Sequence, residues 1–156
     1  MAEESVEQRD ERRINENLLC IKPEELSSFL RQHEKLMITE SRPFADYMRR
    51  KIREKGLLQQ NVFLAADLSE NYGYKLISEE KHTRQRDVIL RLCFAARFTM
   101  RETDDALLRY GMAPLDGRLP RDAILLVAMN NGIYDIETIN QLLEVHGCFP
   151  LLKDYH

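Results

Sequence analysis

The side chains that most often carry catalysis or bind metals are scattered along this sequence. The cysteines are Cys20, Cys93 and Cys148. They lie far apart and form no CxxC pair, so neither a disulfide framework nor a zinc site is indicated, and no histidine has a partner at the spacing of metal ligands. The acidic pairs Glu79-Glu80 and Asp104-Asp105 lack the nearby histidine, serine or glycine-rich loop that acid–base chemistry needs. We therefore predict that the chain is not an enzyme and has neither a metal site nor a cofactor.

A short polar stretch in the middle of the chain offers a different kind of chemistry. Ser69 has the side chain of a helix N-cap, and polar residues then recur at helical spacing up to Ser78. The outward set is Ser69, Glu70, Asn71, Tyr74, Lys75 and Ser78. A short helix with such a face can enter the major groove of DNA, roughly 12 Å wide, and present side chains to base edges. Tyr72 is expected in the core and Gly73 at a close helix approach, whereas Tyr74 either contacts a groove or lies on a solvated surface.

Short helices on both sides must position this stretch. Apolar spacing and capping residues predict five of them between residues 43 and 110. The predicted helices are 43–56, 59–66, 69–78 after an Asp67-Leu68 turn, a fourth capped by Thr83, and a fifth opened by a Thr99–Glu102 capping box. In the fifth helix we expect Met100, Thr103, Leu107 and Tyr110 to point inward. This is the layout of a repressor-type helix-turn-helix domain, whose basic row over residues 49–55 is either a phosphate track or a solvated helix face.

The flanking segments also predict helices and no sheet. We expect an N-terminal helical arm over residues 1–42, in which Pro23 opens a helix whose apolar stripe continues to Met37. Residues 43–111 form the helix-turn-helix domain. Residues 112–156 are expected to form a helical hairpin packed on it, with Asp135 capping the second helix. The predicted fold class is all-α: a five-helix repressor-like helix-turn-helix domain with additional N- and C-terminal helices.

Composition limits the classes of protein that the chain can belong to. It has 156 residues, 44% of them hydrophobic and 31% charged, which suits a globular chain. Neither a membrane span nor a signal peptide is visible, so we expect a soluble, cytoplasmic protein with reduced cysteines. The net charge is −3, which argues against an indiscriminate DNA-coating protein, although residues 44–110 are mildly basic.

Several segments resemble the XRE/Cro/C1 family of phage-repressor-like helix-turn-helix proteins. The central matches are residues 62–78, VFLAADLSENYGYKLIS, and residues 86–90, RDVIL. They are similar to a branch with a Tyr-Gly-Tyr or Tyr-Leu-Tyr step, a basic loop and an Arg-Asp helix start. Residues 113–115, 121–125, 131–132 and 140–143 resemble a helical extension of that branch. The resemblance covers roughly residues 44–152 and implies a lambda repressor-like, DNA-binding regulator of transcription.

The resemblance also implies which side chains would contact double-stranded DNA. Phosphate contacts at the start of the second helix correspond to Gln59 or Gln60. Base contacts on the third helix correspond to Asn71, Tyr74 and Lys75, with Ser69 at the helix start. Phosphate contacts in the following loop correspond to Lys81, His82, Arg84 and Arg86.

Three features of the sequence depart from the pattern and favour a second hypothesis. Asp67 stands in place of the turn glycine, Glu70 in place of a basic or polar residue, and Glu79-Glu80 within the loop. Carboxylates beside phosphates lower the affinity for DNA. The alternative is therefore a degenerate helix-turn-helix that acts as a protein–protein interaction adaptor without binding DNA. Either function is compatible with a homodimer or a protein partner, and with no membrane partner.

Overall fold

A computed structural model describes residues 4, 6–39 and 42–154, which contain helices, turns and no strand. Residues 1–3, 5, 40 and 41 of the predicted arm therefore lie outside the described residues. So do the last two residues of the predicted hairpin. Within these ranges the fold is all-α, as predicted. In the same ranges, no helix has both the length and the apolar character that a membrane crossing requires. The chain divides into two compact units, residues 1–39 and residues 40–156.

Where it is described, the first unit contains two α-helices, α1 (Val6–Leu18) and α2 (Leu26–Gln32). Pro23 does begin a helical segment, but that segment is a 3-10 turn, Pro23–Glu25, which leads into α2. The prediction of one continuous stripe to Met37 is wrong, because α2 ends at Gln32. Of that stripe only Phe29 is buried, and its ring stacks on His33 at a centroid distance of 4.1 Å.

The second unit contains seven α-helices among its described residues. They are α3 (Pro43–Glu54), α4 (Gln59–Ala65), α5 (Glu70–Ile77), α6 (Arg86–Ala95), α7 (Met100–Tyr110), α8 (Pro120–Asn130) and α9 (Ile136–Val145). In the first five, α3 packs on α5 and α7, α4 packs on α5 and α6, and α6 packs on α7. Most of α6 is buried, so this helix forms the centre of the core.

The last two helices pack on this five-helix group rather than standing apart from it. Helix α8 contacts α7, α9 contacts α6, and the two contact each other. Leu125, Ile139 and Leu143 are fully buried in the same apolar cluster as Phe44 and Phe63. Residues 43–111 and 112–154 therefore share one hydrophobic core.

Local capping signals determine most of the helix starts. The hydroxyl of Ser69 accepts a hydrogen bond from Tyr72 N at 3.3 Å, and Asp135 accepts one from Thr138 N at 2.9 Å. The predicted Thr99–Glu102 capping box is also confirmed, with both reciprocal bonds present.

One prediction about a helix start and one about a buried residue are wrong. Thr83 does not cap the fourth helix, because α6 begins at Arg86 and its N-cap is Gln85. Thr83 is buried instead, and its hydroxyl accepts a hydrogen bond from Gln85 N at 3.0 Å. Met100 was expected inside but is 42% exposed, because the first residue after the Thr99 cap points away from the core.

Candidate nucleic-acid interface

Helix α5 separates a buried face from a polar one. Tyr72, Gly73, Leu76 and Ile77 are buried. The other residues of the helix point outward: Glu70, Asn71 and Tyr74 are exposed, and Lys75 is partly exposed. Half of this eight-residue helix is therefore anchored in the core while the other half presents carboxylate, amide, phenol and ammonium groups to solvent.

The turn before α5 is short because Asp67 adopts a left-handed conformation. Its φ is +56°, and Leu68 N then donates to Phe63 O at 3.0 Å, which closes the end of α4. Aspartate is among the few residues with a side chain that visit this region readily. Asp67 can therefore form the turn between α4 and α5 without a glycine at this position.

Two aromatic rings fix the distance between α4 and α5. The Phe63 ring lies against Gly73, where an added Cβ would stand 2.3 Å from Phe63 Cδ1. The same ring meets Tyr74 edge-on, with centroids 4.9 Å apart and planes at 76°. Tyr74 is 44% exposed, so its ring both packs on Phe63 and reaches solvent. The close approach predicted at Gly73 and the core position predicted for Tyr72 are confirmed.

The residues expected to bind phosphate do not share one environment. Gln59 and Gln60 are the first two residues of α4, and Gln60 is the more exposed. Lys81, His82 and Arg84 are exposed on the loop that leads from α5 to α6.

Arg86 differs from the other loop residues because the protein itself uses its guanidinium. Its two terminal nitrogens donate to the Asp122 carboxylate at 3.0 and 2.9 Å, and further bonds reach the carbonyl oxygens of Ala113 and Pro114. Since Asp122 is 3% exposed, this pair ties α6 to α8 inside the fold. The Arg86 guanidinium is therefore already engaged within the fold, unlike the exposed side chains of Lys81, His82 and Arg84.

Arg42 is a candidate that the sequence reasoning missed. Its Nη1 donates to Ser78 O at 3.2 Å, which places a guanidinium at the C-terminal end of α5. A cation at that end of a helix is favourable to the helix dipole, and it lies next to the start of the loop that carries Lys81. In the sequence, the one sign of its role is that a basic residue directly precedes the helix start at Pro43. Arg42 comes next to α5 only because α3 packs against α5.

The three glutamates on and after α5 are not equally exposed. Glu70 and Glu80 are exposed. Glu79 adopts a left-handed φ of +61° and is only partly exposed, and its Oε2 is buried without a hydrogen-bond partner among the described residues. Burial mainly, with a contribution from the charge of Glu79, raises the pKa of Tyr110.

The basic row of α3 is divided by ion pairs. Lys55 contacts the Glu102 carboxylate at 2.8 Å and Lys51 contacts it at 3.6 Å. Burial favours a higher pKa for Glu102, but the hydrogen bonds from Lys55 and the Thr99 backbone and the two lysine charges outweigh it, so this pKa lies below its ordinary value. The guanidinium of Arg50 lies 5.5 Å from the centre of the Tyr47 ring. Residues 49–55 therefore do not form one uninterrupted positive track.

The described residues contain no group of three or more His, Cys, Asp or Glu side chains that could hold a metal ion. The site is instead a polar helix face flanked by two amides and a set of exposed basic residues, within an all-α chain. No protein-family model matches the chain, and no curated protein or solved structure matches it either.

Proposed function

We propose that the chain is a sequence-specific DNA-binding regulator and that α5 is its recognition helix. The observation that carries this proposal is the division of α5 into two faces. Four of its residues are anchored in the core, and Asn71, Tyr74 and Lys75 project outward. A short turn at Asp67 and Leu68 precedes the helix. A helix held in this way can enter the major groove with its first turn leading. The resemblance to repressor-type sequences supports the same function.

The outward groups match the hydrogen-bonding patterns of base edges. The Asn71 amide can both donate to and accept from adenine, and the Lys75 ammonium can donate to guanine O6 or N7. Glu70 can accept only, which directs it to the amino group of cytosine rather than to a phosphate. The exposed Tyr74 ring offers an apolar surface to a thymine methyl group.

Phosphate contacts would hold α5 in register. Arg42 and Lys81 supply two cations near its C-terminal end, Arg84 supplies a third further along the loop, and Gln59 or Gln60 supplies an amide at the start of α4. If three phosphates are neutralised, log K should fall with log salt with a slope of about −3. A homodimer would place two such helices on a palindromic site.

A binding titration tests this proposal. Duplexes would be selected from a random pool with the full chain, and the affinity for the selected duplex would then be measured by fluorescence anisotropy over a range of salt concentrations. We expect affinity that falls with salt and that drops when Arg84→Ala is introduced. Gln141→Ala, an exposed polar residue on α9, is the matched control and should leave binding unchanged. Absence of salt-sensitive binding to any duplex would overturn the proposal.

The second candidate function is a protein-interaction adaptor built on the same helices. It is favoured by the exposed carboxylates of Glu70 and Glu80 and by the pairing of Lys51 and Lys55 with Glu102, which together weaken the positive field around α5. An affinity purification of the full chain separates the two functions. A stoichiometric protein partner together with no retained DNA would support the adaptor.

A further inference from the structure

The last described residues, 149–154, form an extended strap after α9 ends at Val145. Side chains from three helices bind its backbone. Arg121 donates to the carbonyl oxygens of Phe149 and Pro150, and Asn140 Oδ1 accepts from Leu151 N at 2.8 Å. The Asp87 carboxylate accepts from Leu152 N at 2.9 Å. The Leu151 side chain is 2% exposed, so the strap is anchored both by its backbone and by an apolar side chain.

The two residues at the centre of this arrangement are buried charges on α6. Asp87 and Arg91 are each 4% exposed. Asp87 also accepts two hydrogen bonds from Arg121, both at 2.8 Å. Arg91 donates to the carbonyl oxygens of Leu151 and Leu152 and, at 3.2 Å, to Ala66 O. Desolvation of buried charges is costly, so these two side chains depend on the partners that the strap and Arg121 supply.

The strap ends at the helix-turn-helix itself. Through Arg91 it is linked to Ala66, the C-cap residue of α4. Lys153 Nζ forms an ion pair with the carboxylate of Asp67, the left-handed turn residue. The hydroxyl of Tyr72, on the buried face of α5, donates to the Asp154 carboxylate. The turn and α5 are therefore both fastened to the same six-residue segment.

We infer that the strap positions α5, with Tyr72 and Asp154 as positioning residues. An isolated helix of eight residues is not stable by itself, so its orientation is determined by tertiary contacts. Base recognition requires side chains to be held to within about 0.5 Å. The Tyr72–Asp154 bond holds α5 from its buried face and leaves the outward surface with Asn71 unoccupied. The consequence for DNA rests on the proposed function, whereas the ordering of α5 by the strap does not.

Hydrogen exchange in the full chain tests the ordering of α5. We expect Asp154→Ala and Tyr72→Phe each to speed amide exchange in α5 about tenfold, as loss of a hydrogen bond to a charged group implies, with α7 unchanged. The double variant should exchange no faster than Tyr72→Phe, because that variant has already lost the bond to Asp154. Asp154→Glu should restore slow exchange. Glu144→Gln, which neutralises an exposed carboxylate on α9, is the control. Equal acceleration in α5 and α7, or no acceleration in α5, would overturn the inference.

A second measurement separates this inference from the proposed function. Affinity would be measured for the duplex selected by the wild-type chain and for a duplex of random sequence. We expect Asp154→Ala to lower the affinity for the selected duplex about tenfold and to leave the random duplex unaffected, because phosphate contacts tolerate a misplaced α5. Unchanged affinity for the selected duplex, or equal loss on both, would overturn the role of the strap in recognition. If the wild-type chain binds neither duplex, the proposed function fails, and the exchange experiment still decides whether the strap orders α5.

Discussion

Gly73 of α5 lies directly against the ring of Phe63 in α4, and a Cβ at this glycine would stand 2.3 Å from Phe63 Cδ1. The contact determines how closely α4 and α5 approach each other. Since the neighbouring Tyr74 ring also packs on Phe63, the spacing of the helices and the direction of an outward side chain depend on one aromatic ring.

Gly73→Ala should destabilise the protein by about 1–3 kcal/mol, because the added methyl group overpacks the contact with Phe63 and this outweighs the better helix propensity of alanine. Urea unfolding measures the change. Gly117→Ala is the control, since its Cβ would meet Leu126 at an ordinary 3.7 Å. If Gly73→Ala is as stable as the wild type, the close approach is not the determinant of helix spacing.

Arg84→Ala should weaken DNA binding and leave stability almost unchanged, whereas Arg86→Ala should lower the free energy of unfolding. Arg86→Ala leaves the buried Asp122 carboxylate without its partner and should cost about 2–3 kcal/mol of unfolding free energy. Arg84 is exposed, so its removal should leave stability almost unchanged and weaken DNA binding. Denaturation and anisotropy titrations of both variants check this. A stable Arg86→Ala variant with weakened DNA binding would show that Arg86 belongs to the interface.

Glu102 should contribute to acid sensitivity. Its pKa in the folded protein lies below the ordinary value of 4.5, so its stabilising effect is present above that pH and is lost as the pH falls through the depressed pKa. Glu102→Gln keeps the capping geometry but removes the charge, so its stability should change less with pH below about 4.5. Thermal unfolding at a series of pH values gives both profiles. Parallel profiles for the variant and the wild type would contradict the assignment.

Asp104 should act in the opposite direction. Burial raises its pKa in the folded protein despite the hydrogen bond from Leu115 N. Its contribution to stability is therefore full below the ordinary pKa and is lost as the pH rises through the raised value. Asp104→Asn, which cannot ionise, should remove this loss in the same series of unfolding measurements. An unchanged profile in that range would contradict the assignment.

Features determined by neighbouring residues could be predicted from the sequence. Ser69, Thr99 and Asp135 cap helices through bonds to residues three positions away, and the Asp67 turn depends on one residue's conformation. These local rules were sufficient to predict the starts of α5, α7 and α9 and the polar face of α5.

Features determined by distant packing could not be predicted in this way. Arg86 looked like a loop cation because its partner, Asp122, lies 36 residues further along the chain. Asp87 and Arg91 have the side chains of surface residues, and their burial depends on distant partners: Arg121 for Asp87, and for both the strap, which arrives 60 or more residues later. Arg42 likewise comes next to α5 only through tertiary packing.

The most direct test of the central claim compares base preferences of the wild-type chain and Asn71→Ala. Every position of the selected duplex would be substituted in turn and the affinities of both proteins measured at one salt concentration. We predict that Asn71→Ala loses about 1–3 kcal/mol of discrimination at a single base pair, an adenine–thymine pair, and keeps the preferences elsewhere. An unchanged preference at every position, or a uniform loss at all of them, would contradict the placement of α5 in the major groove.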